Sequence, residues 1–250
     1  MKALFTLTSS ESKRLIAKGV KALPVVNKAL AEHTVIIAGG TTNAFVAEEL
    51  LSLEVADKTA YTVGIVTEGK TGLSSAPNPT HPFVVQKGQP LAMHWKEYLP
   101  NIQAGDVFIK GGNALDHTGL AAVMVSDSAG GTIGLAQGIL LARGIPLIVP
   151  IGLEKMVPDV RTALEFLTPP LDEALGQKVG LIPMLGATVV TELTALGLLY
   201  GLEAQAIAAG GVGGSEGAVT IAVEGPENEV RRALEDIKSF KGEPQVRYLG

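Results

Sequence analysis

The chain contains no cysteine. Disulfides, thiolate nucleophiles, Cys-ligated zinc and iron–sulfur clusters are thereby excluded together, and a reducing compartment, the cytoplasm, is the expected location. Aromatic residues are scarce, at 4% of 250, and charged residues reach only 18%. With a formal net charge of -5, the protein has no excess positive field to draw phosphate backbones or acidic membranes, so nucleic acid is not an expected partner. Long apolar runs are missing too: the run at 135–141 meets arginine, glycine and proline well short of the roughly 20 residues a membrane helix needs. No membrane partner is expected. The opening residues Met1-Lys2-Ala3-Leu4-Phe5-Thr6 lack the long apolar core of a secretory signal. The histidines His33, His81, His94 and His117 show no ligand spacing of the HExxH kind, so neither a metal nor a cofactor is expected.

What is abundant is glycine, 30 residues, alongside 46% hydrophobic residues. That composition supports a large core with loops that approach ligands through backbone, and the length suits one medium and one small domain. Ser9-Ser10-Glu11 reads as a helix N-cap leading into helical spacing over 13–23, and Pro24 restarts a second helix to about 31. Residues 34–38, Thr-Val-Ile-Ile-Ala, form a continuous β-branched run, the pattern of a fully buried parallel strand. A glycine pair and a helical stretch over 44–53 follow. Strands at 61–66, 83–85, 106–110, 121–125 and 146–150 then alternate with helices at 93–99, 132–143 and 158–167, which implies a parallel sheet covered on both faces. Residues 67–82, rich in glycine, serine and proline, are expected to be irregular and to act as a lid or partner contact.

Pro169-Pro170 marks a break, with a domain boundary near 168–177. The tail predicts strand 179–184, helix 187–200, strand 203–209, a glycine-rich turn at 210–217, strand 218–224, helix 227–240 and strand 245–248. That order, βαββαβ, is the ferredoxin-like unit. The expected fold class is thus α/β, a three-layer parallel-sheet domain over residues 1–167 followed by a ferredoxin-like α+β domain over 178–250.

Four strand-end segments carry candidate chemistry. Gly39-Gly40-Thr41-Thr42-Asn43 lies where free backbone N–H groups and the positive end of a helix converge, so it suits a phosphate or carboxylate; a plain tight turn with a cap is the competing reading. It lacks the spacing of a Walker loop or a GxGxxG fingerprint. Lys110-Gly111-Gly112-Asn113 follows the next strand, with Asp116 and His117 close behind: Lys110 could clamp an anion or polarise a carbonyl, and Asp116 or His117 could move a proton. Ser126 and Gly130-Gly131-Thr132 repeat the strand, glycine pair and helix theme as ligand-facing backbone, with helix capping as the alternative for the serine. Glu154 and Lys155 form a fourth segment, either ligand-binding or a surface ion pair. The turn at 210–217 reads either as an anion cradle or as a flexible connection.

With these residues in place, the first 165 or so positions resemble the superfamily of ribose-5-phosphate isomerase A, glucosamine-6-phosphate deaminase and CoA transferases. Residues 34–45 are similar to the isomerase turn that grips a sugar phosphate, and residues 110–115 to its Lys-Gly-Gly-Gly-Ala-Ala-Leu segment. Residues 149–158, Val-Pro-Ile-Gly-Leu-Glu-Lys-Met-Val-Pro, resemble a segment of lactate-utilisation proteins in the same superfamily. The chain departs from the isomerase pattern in its carboxylates: Asp106 stands alone before Lys110, and Gly119 falls where the family has its catalytic glutamate. The resemblance therefore implies the fold and the anion-gripping turn. Two functions remain open: an enzyme acting on a small anionic metabolite by phosphosugar isomerase or lyase chemistry, or a non-catalytic ligand sensor or assembly protein. A homo-oligomer is expected.

Overall fold

A strand buried on both faces has to be apolar throughout, and Thr34–Ile37 is buried along its whole length. In the computed structural model, which describes residues 1–248 except Pro77 and Pro169, this strand lies inside the largest sheet of a mixed α/β chain. The first part of the chain runs β1 (Lys2–Leu7), α1 (Ser9–Ala22), α2 (Pro24–Glu32), β2 (Thr34–Ile37), α3 (Thr41–Leu51), β3 (Gly64–Thr67), β4 (Lys70–Leu73), β5 (Phe83–Gln86), β6 (Gln89–Pro90) and α4 (Trp95–Tyr98). Then come β7 (Val107–Ile109), β8 (Ala114–Leu115), β9 (Ala121–Val125), α5 (Gly131–Arg143), β10 (Leu147–Pro150) and α6 (Val160–Phe166). The last part is β11 (Gly180–Pro183), β12 (Thr188–Val190), α7 (Glu192–Tyr200), β13 (Glu203–Ala209), β14 (Val219–Glu224) and α8 (Glu227–Ser239).

The main sheet has the order β12-β10-β7-β2-β5-β6. Its first four strands are parallel, and β5 and β6 add antiparallel to β2. Alternate residues serve alternate faces. Val35, Ile37, Val107 and Ile109 share a core with Ile16, Val20, Phe45 and Val46 of α1 and α3, whereas Ile36, Phe108 and Val149 share one with Trp95, Ile133 and Leu140 of α4 and α5. Asp106, at the amino end of β7, is buried and accepts from the Thr34 and Gln103 amides and the Tyr98 hydroxyl. The lone carboxylate before Lys110 is therefore a staple at the edge of the sheet opposite that lysine.

Several sequence expectations change. The strand at 121–125 does not join the parallel sheet; it forms the middle of an antiparallel sheet β11-β9-β8. The segment 187–200 is not helical from its start, because Thr188-Val189-Val190 extends the main sheet as β12 and Thr191 caps α7 with its side chain. The βαββαβ order is not formed: β11 pairs with β9, residues 245–248 lie outside any strand, and β1 takes the vacant place in an antiparallel sheet β1-β14-β13. The reason lies in period-two patterning at the chain's start, where Ala3, Phe5 and Leu7 turn inward to Ile221, Val223 and Leu15 while Lys2 pairs outside with Glu224. Gln245 is held instead by its side chain, which donates to Gly214 O. Thr8 rather than Ser9 caps α1, in a reciprocal box with Glu11. The Pro169 half of the Pro169-Pro170 break lies outside the described residues.

The stretch 67–82, with Pro77 outside the described residues, is not irregular at its start. β3 and β4 make a hairpin in which Thr67 faces Lys70. Glu68 and Gly69 both take positive φ, 51° and 71°, the two-residue turn that matches strand twist. A Cβ on Gly69 meets open space, so Gly69→Ala costs only the left-handed backbone, about 1 kcal/mol. Amide exchange across the hairpin should accelerate roughly fivefold in that variant, and unchanged protection would contradict the turn assignment.

Candidate functional site

Because β2, β7, β10 and β12 are parallel, the chain leaves all four at one edge. Gly39-Gly40 follows β2, Lys110-Gly111-Gly112 follows β7, Gly152 to Lys155 follow β10, and Glu192 follows β12. The glycines are there for closeness. A Cβ on Gly39 would lie 2.8 Å from Tyr61 O, and the Gly40 amide donates to that same carbonyl at 2.8 Å. A Cβ on Gly112 would lie 2.9 Å from Ile151 Cδ1 and 3.0 Å from Ala122 O.

Gly40, at φ 151°, precedes α3 without any side-chain cap, which leaves the amides of the first turn, Thr41, Thr42 and Asn43, to whatever lies outside. Asn43 is fully buried. Its amide donates to Ala38 O at 2.6 Å and Ile109 O at 3.4 Å, clamping the ends of β2 and β7 together. Its Oδ1 has no partner among the described residues, and a Cβ on Gly111 would lie 3.7 Å from it. A buried acceptor left unpaired costs stability.

Two ammonium groups line the glycine turns, near enough for the charge of Lys155 to act on Lys110. Lys110 Nζ donates to Gly39 O at 3.3 Å and Gly111 O at 3.4 Å, and Lys155 Nζ donates to Gly112 O at 2.9 Å. Both side chains are half-buried, and among the described residues neither makes an ion pair. Burial, and then the charge of Lys155, bring Lys110 down to about 8. Lys155 is also lowered, by burial first; Lys13 adds to this, while Glu154 and Glu192 oppose it.

Beside the lysines sit two carboxylates. Glu154 accepts from Lys13 of α1 at 3.4 Å through one oxygen, while its other oxygen is buried without a partner among the described residues and occupies the space a Cβ on Gly152 would need. Gly217, at the end of the 210–217 loop, closes over this pair, its would-be Cβ 3.5 Å from Ser9 Cβ and 4.0 Å from Glu154 Cβ. Glu192, the first residue of α7, is fully buried, and the Leu153 amide donates to its two oxygens at 3.0 and 3.3 Å. Burial first, and then the charge of Glu154, raise Glu192 to about 7. Lys13 and Glu192 carry no sequence motif. The available signal for Glu192 was the β-branched triplet before it, which makes Thr191-Glu192 another strand end.

The remaining candidates lie elsewhere. Asp116 is buried, and its carboxylate accepts from the Thr118 hydroxyl and amide and from the Leu120 and Val160 amides. Burial works to raise it, but these bonds, led by the Thr118 hydroxyl, outweigh that and hold it at about 2. It is a loop clamp, ionised at any working pH. His117 is exposed, its Nδ1 3.2 Å from Pro158 O, and with Asp116 it borders a largely apolar cleft of about 650 Å³ against Gln205 and Ala206 of β13. Asn113 accepts from the Met124 amide. Ser126, Gly130, Gly131 and Thr132 follow β9, which is not a neighbour of β7 or β10, so strand adjacency does not carry them to the lysines. Within that loop Asp127 accepts from the Ala129 and Gly131 amides.

No family model matches the chain, and comparisons with curated proteins and with solved structures find no match either.

Proposed function

We propose that the chain binds a small anionic metabolite between the first turn of α3 and the Lys110–Lys155 pair, and that it moves a proton on that ligand. The supporting observation is the pair itself: two half-buried ammonium groups on adjacent glycine carbonyls, with no carboxylate paired to either among the described residues. Like charges held together out of water are costly, and a phosphate or carboxylate between them relieves the repulsion. In this reading Gly39 to Asn43 and Gly111-Gly112 receive the anion, Lys110 and Lys155 clamp it, and Glu192 replaces Asp116 as proton carrier, since its carboxyl at about 7 exchanges near neutrality.

The pattern-level resemblance to the phosphosugar isomerase and CoA-transferase superfamily supports the same ligand class, and with it a three-layer domain and a cytoplasmic homo-oligomer. A sensor reading is favoured by one observation: Glu192 is wholly enclosed and Glu154 is engaged by Lys13, leaving no carboxylate open to solvent at the site among the described residues. Proton exchange at the carbon beside a phosphosugar carbonyl, lost in Glu192→Gln, decides for the enzyme.

The binding claim is tested by calorimetric titration with inorganic phosphate, phosphosugars and small organic acids. Affinity should fall as pH rises through about 8, where Lys110 loses its proton, and should drop about tenfold or more in Lys110→Met and in Lys155→Met. An absence of heat with every anion at pH 7 defeats the proposal.

A further inference from the structure

Lys110 differs from a lysine placed only to hold charge. A clamping lysine gains from a carboxylate or from water around its ammonium; Lys110 has two backbone carbonyls, at 3.3 and 3.4 Å, and a second ammonium for a neighbour. Its backbone is fixed, since the Lys110 amide donates to Ile148 O at 3.0 Å at the end of β7, and the Ala38 amide beside it donates to Ile109 O at 2.9 Å. A Cβ on Gly111 would lie 3.6 Å from Pro150 O, so glycine lets this turn sit against the end of β10. A desolvated amine beside another cation is the arrangement that makes lysine a nucleophile toward carbonyl carbon.

We propose that Lys110 forms a covalent iminium with the carbonyl carbon of a small ketone or aldehyde that carries a phosphate or carboxylate. The inference rests on the anion-site reading above and narrows its ligand class. The neutral Nζ attacks the carbonyl carbon, the C=O π pair moves to oxygen, and a proton passes from nitrogen to that oxygen, giving a carbinolamine. The nitrogen lone pair then forms C=N as the C–O bond breaks. The departing hydroxide takes one proton from the Lys155 ammonium and leaves as water. No oxidant or reductant enters, and the product is an iminium cation beside a neutral Lys155. The first turn of α3 receives the ligand's anion, and Asn43 Oδ1 accepts from a ligand hydroxyl. An iminium draws electrons from the neighbouring carbon, so the proton there becomes acidic enough for a carboxylate to remove.

The test is trapping with sodium cyanoborohydride in the presence of dihydroxyacetone phosphate or pyruvate, followed by peptide mapping by mass spectrometry. A single stable adduct on Lys110 is expected, forming at least tenfold faster than on any other lysine, with a rate that rises through pH 8. Lys155→Met should move that pH profile upward, because the neighbouring charge is gone. Lys110→Arg keeps the charge, and a variant with an unchanged melting midpoint should give no adduct. Equal labelling of many lysines, or an adduct on Lys155, overturns the proposal. If neither ketone is trapped while inorganic phosphate still binds by calorimetry, the iminium is refuted and the anion site stands. If phosphate fails as well, both readings fall.

Discussion

Replacing Glu192 with glutamine should raise the melting midpoint at pH 8 by roughly 6 °C or more and leave it nearly unchanged at pH 4. In the unfolded chain this carboxyl gives up its proton near 4.5, whereas in the folded protein it holds it to about 7. Between those values the folded state binds more protons than the unfolded state, so stability falls as pH rises and stays reduced above 7. A raise from 4.5 to about 7 corresponds to about 3 kcal/mol, and each kcal/mol moves the midpoint of a chain this size by about 2–4 °C. Glutamine retains an oxygen to accept from the Leu153 amide, so the wild type's ionisation cost is what disappears. Calorimetric melts of both proteins at the two pH values give the answer. Destabilisation of the variant at pH 8 that shrinks at pH 4 would mean instead that the cations nearby hold Glu192 ionised. A gain in stability coupled with a loss of proton exchange would place Glu192 among residues kept for function at the expense of stability.

Arg14→Ala should cost about 3–5 kcal/mol, a midpoint drop on the order of 10 °C. Arg14 on α1 donates to Glu48 at 2.6 Å, Glu49 at 3.0 Å and Glu243 at 2.9 and 3.2 Å, and its guanidinium lies 4.8 Å from the centre of the Phe45 ring. The four charged side chains are each 16% exposed or less, so the lost partner leaves carboxylates that are largely out of water. Glu48 keeps Lys58 at 2.7 Å and Glu49 keeps Lys18 at 3.8 Å, but Glu243 loses its only cation among the described residues. Because Glu243 belongs to the last segment of the chain, the variant should also release residues 241–248, read as faster amide exchange there. A loss under 1 kcal/mol would class the cluster with ordinary surface pairs. Arg14→Lys should recover only part, since an ammonium cannot span three carboxylates as a planar fork does.

The parallel part of the main sheet was readable because a strand buried on both faces leaves an uninterrupted apolar run, as at residues 34–38 and 146–150. Where burial is one-sided or the strand is short, that signal fades. Residues 2–7 alternate, but their partner is 216 positions away in the pairing of Phe5 with Ile221 and the intervening sequence gives no hint of it. Thr188-Val189-Val190 reads as part of the helix after it, since three residues are too few to show a period. Lys110, Lys155 and the 39–43 turn were found because glycine pairs after strands require close backbone approach. Lys13 and Glu192 were not, because a buried charge in a helix looks in sequence like any solvated one; only the fold turns them toward Glu154. Asp116 misled for the opposite reason: Asp-His-Thr-Gly beside a glycine turn has the composition of a reactive loop, and the Thr118, Leu120 and Val160 donors that occupy its carboxylate follow from tertiary structure.

The pairing of Lys2–Leu7 with Val219–Glu224 also sets an order of events in synthesis. At about 5–20 residues per second, the strand emerging first from the ribosome waits on the order of ten seconds or more for the one it must join. Leu4 and Phe5 are exposed to chaperones, or to another nascent chain, throughout that interval. The parallel sheet, whose strands lie between residues 34 and 190, is complete before then and presents α1 as a platform on which the final sheet closes.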